Sequence, residues 1–182
     1  LKHTGDKLWQ NSSYKFYVRQ NCENAQTDWA GPFSFSTPTF CPPGSYTLKT
    51  QTEVNGFLTV NPGCTTITGN LVIGHNNITY GNTNITDLSP LAGITHITGN
   101  LIIRRNYNIS EISFPNLTEI GGNLIIWEET GTNIISLPNL QSIGGNLSFV
   151  TLPNLTNIDG LNNLTNVGGF LELRQIRQTN PP

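Results

Sequence analysis

Three histidines, three cysteines and a thin scatter of acids are the side chains in this sequence with the chemistry to hold a metal or move a proton. His3, His75 and His96 stand apart, and none falls in a His-x-x-x-His spacing that would aim two imidazoles at one ion. Cys22, Cys41 and Cys64 contain no Cys-x-x-Cys, so zinc is not expected. Beyond the first third of the chain the acids are Asp87, Glu111, Glu119, Glu128, Glu129, Asp159 and Glu172. Only Glu128 and Glu129 adjoin there. Neighbours on a strand point to opposite faces, which makes them a poor general acid–base pair; a solvated loop after a strand is the expectation. Gly144-Gly145 and its relatives read as turn residues rather than a phosphate loop. No cofactor is implied, and the chain is expected not to be an enzyme.

The background composition is as informative as the reactive residues. Of 182 residues only 11% are charged, and the formal net charge is −2. That balance removes the electrostatic basis for binding nucleic acid or an anionic membrane. No apolar run approaches the ~20 residues needed to span a bilayer. Asn, Thr and Gly together exceed a third of the chain, while Met is absent. A chain that starts at Leu1 with no Met and no basic-then-apolar leader is expected to be cut from a longer precursor. Composition points to a β-rich extracellular protein.

Two regions must position whatever chemistry exists. All 18 Ile follow Cys64, whereas most aromatic residues precede Leu58. In the first region Tyr14, Phe16 and Val18 alternate with polar residues, and Phe33 and Phe35 do the same, the period of half-buried strands. Asn21 to Asp28 between them is polar and turn-like. Leu8 lies six residues before Tyr14, and Trp29-Ala30-Gly31-Pro32-Phe33-Ser34-Phe35-Ser36-Thr37 reads as a closing strand. These features resemble the last two strands of a fibronectin type III domain, over residues 1–38. The resemblance implies a partial β-sandwich whose upstream strands precede Leu1, leaving Tyr14 and Phe16 unusually exposed. Residues 39–63 follow as linker and capping helix. Pro38, Pro42 and Pro43 stiffen the linker. Thr50-Gln51-Thr52-Glu53 is a capping-box pattern that starts a short helix ending near Gly56-Phe57-Leu58.

The second region repeats itself. Gly-Asn-Leu recurs at Gly69, Gly99, Gly122 and Gly145, with a variant at Gly169-Phe170-Leu171. Upstream of each block apolar residues recur every third position, as in Phe114/Leu117/Ile120 and Leu137/Leu140/Ile143. Such a unit cannot bury its own apolar face, but stacked units share one core. Period-2 reading turns Leu71/Ile73, Leu101/Ile103, Leu124/Ile126, Leu147/Phe149 and Leu171/Leu173 inward. The Asn at each corner suggests a ladder serving turn backbone groups, broken at Phe170. The expected fold is all-β: a right-handed β-helix or leucine-rich solenoid over residues 64–176, a short N-terminal helix, and a tail at 177–182.

Cys64-Thr65-Thr66-Ile67-Thr68-Gly69-Asn70-Leu71-Val72-Ile73 resembles the opening coil of a receptor L domain, and the similarity extends over about residues 41–176. Secreted surface proteins of the Bacteroidota with such repeats, exported by the type IX route, resemble it more closely. The resemblance implies a disulfide between Cys41 and Cys64, flanking the helix. Cys22 is then left with a partner in upstream sequence or as an unpaired thiol. It implies an extracellular or cell-surface location, and it carries over no ligand-contact residue.

Between the inward residues lies an outward row. Val72, Ile102 and Ile125 are apolar where solvent favours polar groups, and Arg104 and Trp127 beside them are residue types common in interfaces. These five form the candidate interaction patch, facing a protein or glycan partner or a second copy of the chain. Eight Asn-x-Ser/Thr sequons occur, at Asn11, Asn77, Asn84, Asn108, Asn116, Asn146, Asn154 and Asn163. They are candidate glycan acceptors, although Asn-Leu-Thr recurs because the repeat recurs. The leading functional expectation is a non-catalytic surface or secreted interaction and adhesion protein. Its alternatives are an accessory region of a larger secreted enzyme and a receptor-like ligand-binding ectodomain.

Overall fold

A computed structural model describes residues 13–22, 25–36, 41–75 and 83–176, and the chain divides after Thr39 into two units. Leu8, Asn11, Pro38, Asn77 and the tail at 177–182 lie outside the described residues. In the first unit β1 (Ser13–Val18), β2 (Asn21–Cys22), β3 (Ala25–Gln26) and β4 (Ala30–Ser36) form two antiparallel pairs, β1 with β4 and β2 with β3. Tyr14 lies opposite Phe35 and Phe16 opposite Phe33, and their rings sit 5.5 and 5.4 Å apart. Tyr14 and Phe16 are half-buried, whereas Phe33 is 46% and Phe35 40% exposed. The rings shield one another, and among the described residues of this unit no second layer covers the aromatic face of the ribbon.

The second unit opens with β5 (Tyr46–Leu48) and α1 (Gln51–Val60). The Thr50 hydroxyl accepts from the Glu53 N–H, and the Glu53 carboxylate accepts from the Thr50 N–H, so both halves of the capping box are made. The helix passes the expected stop near Leu58 and runs to Val60. It closes where the backbone and side-chain N–H groups of Asn61 both donate to Phe57 O at 2.9 Å. Val54 and Phe57 are its buried face, with Phe57 edge-on to Tyr46. Residues 39–63 are thus more than linker and helix, because β5 joins the largest sheet beside the first repeat.

The remaining strands come from the repeats: β6 (Thr66–Ile67), β7 (Leu71–Gly74), β8 (His96–Ile97), β9 (Leu101–Arg104), β10 (Glu111–Ser113), β11 (Glu119–Ile120), β12 (Leu124–Trp127), β13 (Ile134–Ser136), β14 (Ser142–Ile143), β15 (Leu147–Leu152), β16 (Asn166–Val167) and β17 (Leu171–Ile176). They assemble into parallel sheets. One has six strands in the order β17-β15-β12-β9-β7-β5, one has five in the order β16-β14-β11-β8-β6, and β10 pairs with β13 in a third. Each repeat lies in register on the next, so Leu71, Leu101, Leu124, Leu147 and Leu171 form one row. The described residues are all-β apart from α1 and short 3₁₀ turns.

Between the sheets the inward positions of the first repeats are buried, from Leu71 and Ile73 to Leu147 and Phe149. Leu171 and Leu173 were also expected inward, yet they are 61% and 44% exposed. A core side chain in a stack is covered by the repeats on both sides, and among the described residues β17 has a neighbour only at β15.

Candidate functional site

Lateral register builds the candidate patch. Val72, Ile102, Ile125 and Ser148 lie side by side across β7, β9, β12 and β15, and Gly74, Arg104, Trp127 and Val150 make the next row. The structure therefore brings all five patch residues onto one face of the six-stranded sheet. They are half-buried rather than fully exposed, because each side chain is flanked by its neighbours on adjacent strands. Beyond Ile125 and Trp127 the exposed row ends. Ser148 and Val150 occupy outward positions but are only 8% and 6% exposed, and the Ser148 hydroxyl donates to Glu172 Oε2 at 2.7 Å.

At the end of this sheet the backbone turns through a column of left-handed residues. Arg105, Glu128, Thr151 and Gln175 have φ between 53° and 59°. The turn places the Arg105 guanidinium 5.0 Å from the Trp127 ring and its Nε 2.6 Å from Glu128 Oε2. A cation against an indole face is attracted by the ring quadrupole. Desolvation, then the charge of Arg105, pull the Arg104 guanidinium below its ordinary value. The patch is thus an apolar strip edged by the Arg104 guanidinium and the Trp127 indole, with the buried Arg105 guanidinium packed against that indole and paired with Glu128.

Glu128 and Glu129 do not form the solvated loop expected of them. Glu128 is the ion-pair partner just described, and Glu129 turns inward and is fully buried. Its Oε1 accepts from Asn106 N at 3.0 Å and Asn106 Nδ2 at 2.9 Å, and Asn106 Oδ1 in turn accepts from the Thr83 hydroxyl at 2.6 Å. Thr83, Asn106 and Glu129 are one position on three successive repeats; the fourth repeat has Leu152 there, which offers no hydrogen bond. Oε2 of Glu129 is left without a partner among the described residues. Burial lifts its pKa to about 7, against the downward pull of the two Asn106 donors. The sequence signal for this column was the spacing of Thr83, Asn106 and Glu129 at one repeat length, visible only once the repeat register is known.

The other sequence candidates fall into structural positions. Cys41 and Cys64 form a disulfide with a Cα–Cα distance of 4.6 Å, and both are buried. Asn116, Asn154 and Asn163 each donate a side-chain N–H to a main-chain carbonyl of the preceding repeat, on Ala92, Thr130 and Pro138. Asn108 does so to Thr83 O at 3.4 Å. Asn84 Oδ1 caps the Gln51 N–H of α1, and Asn146 belongs to an inner ladder of amides. His96 lies between the hydroxyls of Thr95 and Thr118. Among the described residues no group of three or more His, Cys, Asp or Glu side chains could hold a metal ion, and no helix is long and apolar enough to cross a membrane.

Comparison with known proteins gives one match. No curated protein and no solved structure matches the chain. A family model described as the receptor L domain matches residues 63–158, from the end of the α1 connection to the fourth repeat. Because that match spans more than half of the chain and covers the strands β7, β9 and β12 that carry the patch, the protein belongs to the receptor L domain family.

Proposed function

We propose that this chain is a non-catalytic extracellular interaction module that binds a protein or glycan surface through Val72, Ile102, Arg104, Ile125 and Trp127. The observation carrying this reading is the lateral register that sets three aliphatic side chains beside an Arg and a Trp on one sheet face. Aromatic and Arg side chains ringed by apolar neighbours are the usual energetic centres of interfaces. In this reading the repeats wind as one right-handed β-helix, which keeps the face rigid and lowers the ordering cost of binding. The β1–β4 ribbon is the closing part of a fibronectin type III-like sandwich, and its aromatic face is the surface a second sheet would cover. The Cys41–Cys64 disulfide fits an oxidising compartment. We place the protein in the secreted or surface-displayed set of the Bacteroidota, exported by the type IX route.

The test is binding of the labelled whole chain to arrays of extracellular proteins and glycans, with wild type and the Trp127→Ala/Ile125→Ser pair compared at equal thermal stability. Removing a central Trp anchor is expected to lower affinity by 10-fold or more, on the order of 2 kcal/mol. Unchanged binding by the pair would remove this face as the site.

A further inference from the structure

The third sheet has an open edge, and helix α1 is the reason. β10 pairs with β13 on one side: Ile134 N donates to Ser110 O at 3.3 Å, and Phe114 N donates to Ser136 O at 3.1 Å. Hydrogen-bonding direction alternates along a strand, so the N–H and C=O groups of Glu111 and Ser113 point away from β13. Among the described residues none of these four groups has a partner. A first-repeat strand would run along this edge, but its backbone is held elsewhere. Gln51 Oε1 accepts from Thr86 N at 2.8 Å and Asp87 N at 3.0 Å, while Gln51 Nε2 donates to Asp87 O at 2.9 Å. One side-chain amide thus takes the place of a neighbouring strand and leads the chain into the 3₁₀ turn Ser89–Leu91.

The space between is a cleft of about 330 Å³. Thr86, Asp87 and Ser89 form one wall, and Ser110, Glu111 and Ser113 form the other. The lining has two carboxylates and no Lys, Arg or His. Ser89 N and Oγ take part of the Asp87 carboxylate, at 2.8 and 2.7 Å, while the Glu111 carboxylate bonds to no described residue. A short edge strand with unpaired amides is a template for a further strand. The acidic walls select which strand.

We propose that this cleft takes an extended basic segment of a partner protein, which adds to β10 as a strand and sets a Lys or Arg against Asp87 and Glu111. The backbone of the segment would meet the four free groups of Glu111 and Ser113, and its alternate side chains would meet the acidic walls. This site lies on a different sheet from the Trp127 face, so the two readings succeed or fail separately.

Amide hydrogen exchange on the whole chain tests the open edge. The Glu111 and Ser113 amides are expected to exchange at least 10-fold faster than those of Ile112 and Phe114. Protection independent of protein concentration would mean that the chain itself fills the edge, and protection that grows with concentration would mean a second copy does; either result overturns the proposal. Panning a library of displayed random octapeptides then tests the occupant. Enriched sequences are expected to lack Pro and carry Lys or Arg at alternate positions. A synthetic peptide of enriched sequence should protect the Glu111 and Ser113 amides. It should bind Glu111→Lys at least 10-fold more weakly, Glu111→Gln to an intermediate degree, and Trp127→Ala unchanged. Enrichment of acidic or uncharged sequences, or of none above the Glu111→Lys background, would overturn it.

Discussion

A carboxyl group sealed from water favours its neutral form, and Glu129 carries that cost into the core. Its pKa stands at about 7, raised from an ordinary 4.5 by burial. Below pH 4.5 the group is protonated in both native and unfolded chains, and no penalty exists. Between 4.5 and 7 the native state keeps a proton that the unfolded state has released, so stability falls as pH rises. Above 7 the loss is complete and constant, on the order of 3 kcal/mol. The Glu129→Gln variant keeps a neutral acceptor for Asn106 and should lose this slope. Urea denaturation of both proteins from pH 4.5 to 8.5 measures the difference; parallel curves would mean that Glu129 ionises freely. Opposite-face alternation in the sequence shows that one of two adjacent acids turns inward, but not how much core lies over it, so the burial of Glu129 is not legible there.

At the scale of the element, the recurring Gly-Asn pair is a single device. Asn100 N donates to Asn70 Oδ1, Asn123 N to Asn100 Oδ1 and Asn146 N to Asn123 Oδ1, each at 2.7 Å. Ser45 Oγ starts the ladder by accepting from Asn70 N, and Phe170 N ends it on Asn146 Oδ1. Each Gly makes room for the amide before it: a Cβ on Gly122 would lie 2.5 Å from Asn100 Oδ1 and 2.8 Å from the Gly99 carbonyl. The sequence pattern places these glycines in turns, yet none of the Gly-Asn set adopts a positive φ. Clearance, not conformational freedom, selects them. Gly122→Ala is expected to cost ~3 kcal/mol through overpacking. Asn100→Ala should cost about 1–3 kcal/mol by leaving the Asn123 N–H unpaired. The pair should be less than additive in denaturant titrations, since deleting the Asn100 amide removes one of the two clashes.

For the second unit as a whole, the Cys41–Cys64 disulfide ties the segment before α1 to the first repeat across 23 residues. Val54 and Phe57 lie buried between, as part of the same core cluster as the repeats. Closing a loop of this length restricts the unfolded chain by about 3 kcal/mol in the chain-entropy account. Replacing both cysteines with Ala is therefore expected to lower the melting temperature by ~10 °C. Calorimetry checks the size, and hydrogen exchange should show α1 losing protection before the parallel sheets do. An unchanged melting temperature would mean that packing of Val54 and Phe57 holds the helix alone.

The sequence by itself determined the repeat, the inward rows, the helix start at Thr50 and the lateral placement of the patch residues. All of these follow from local periodicity, from a cap four residues long, and from the requirement that identical units stack in register. The resemblance carried by the opening repeat added the disulfide. Only the tertiary structure decided that Tyr46–Leu48 is a strand, that Ser148 and Val150 are buried, that Glu129 lies in the core and that Gln51 opens the edge of β10. Each of those depends on which groups lie beside a residue one repeat or more away. Alternation along a strand says which way a side chain points, and only the neighbouring repeat says what it meets there.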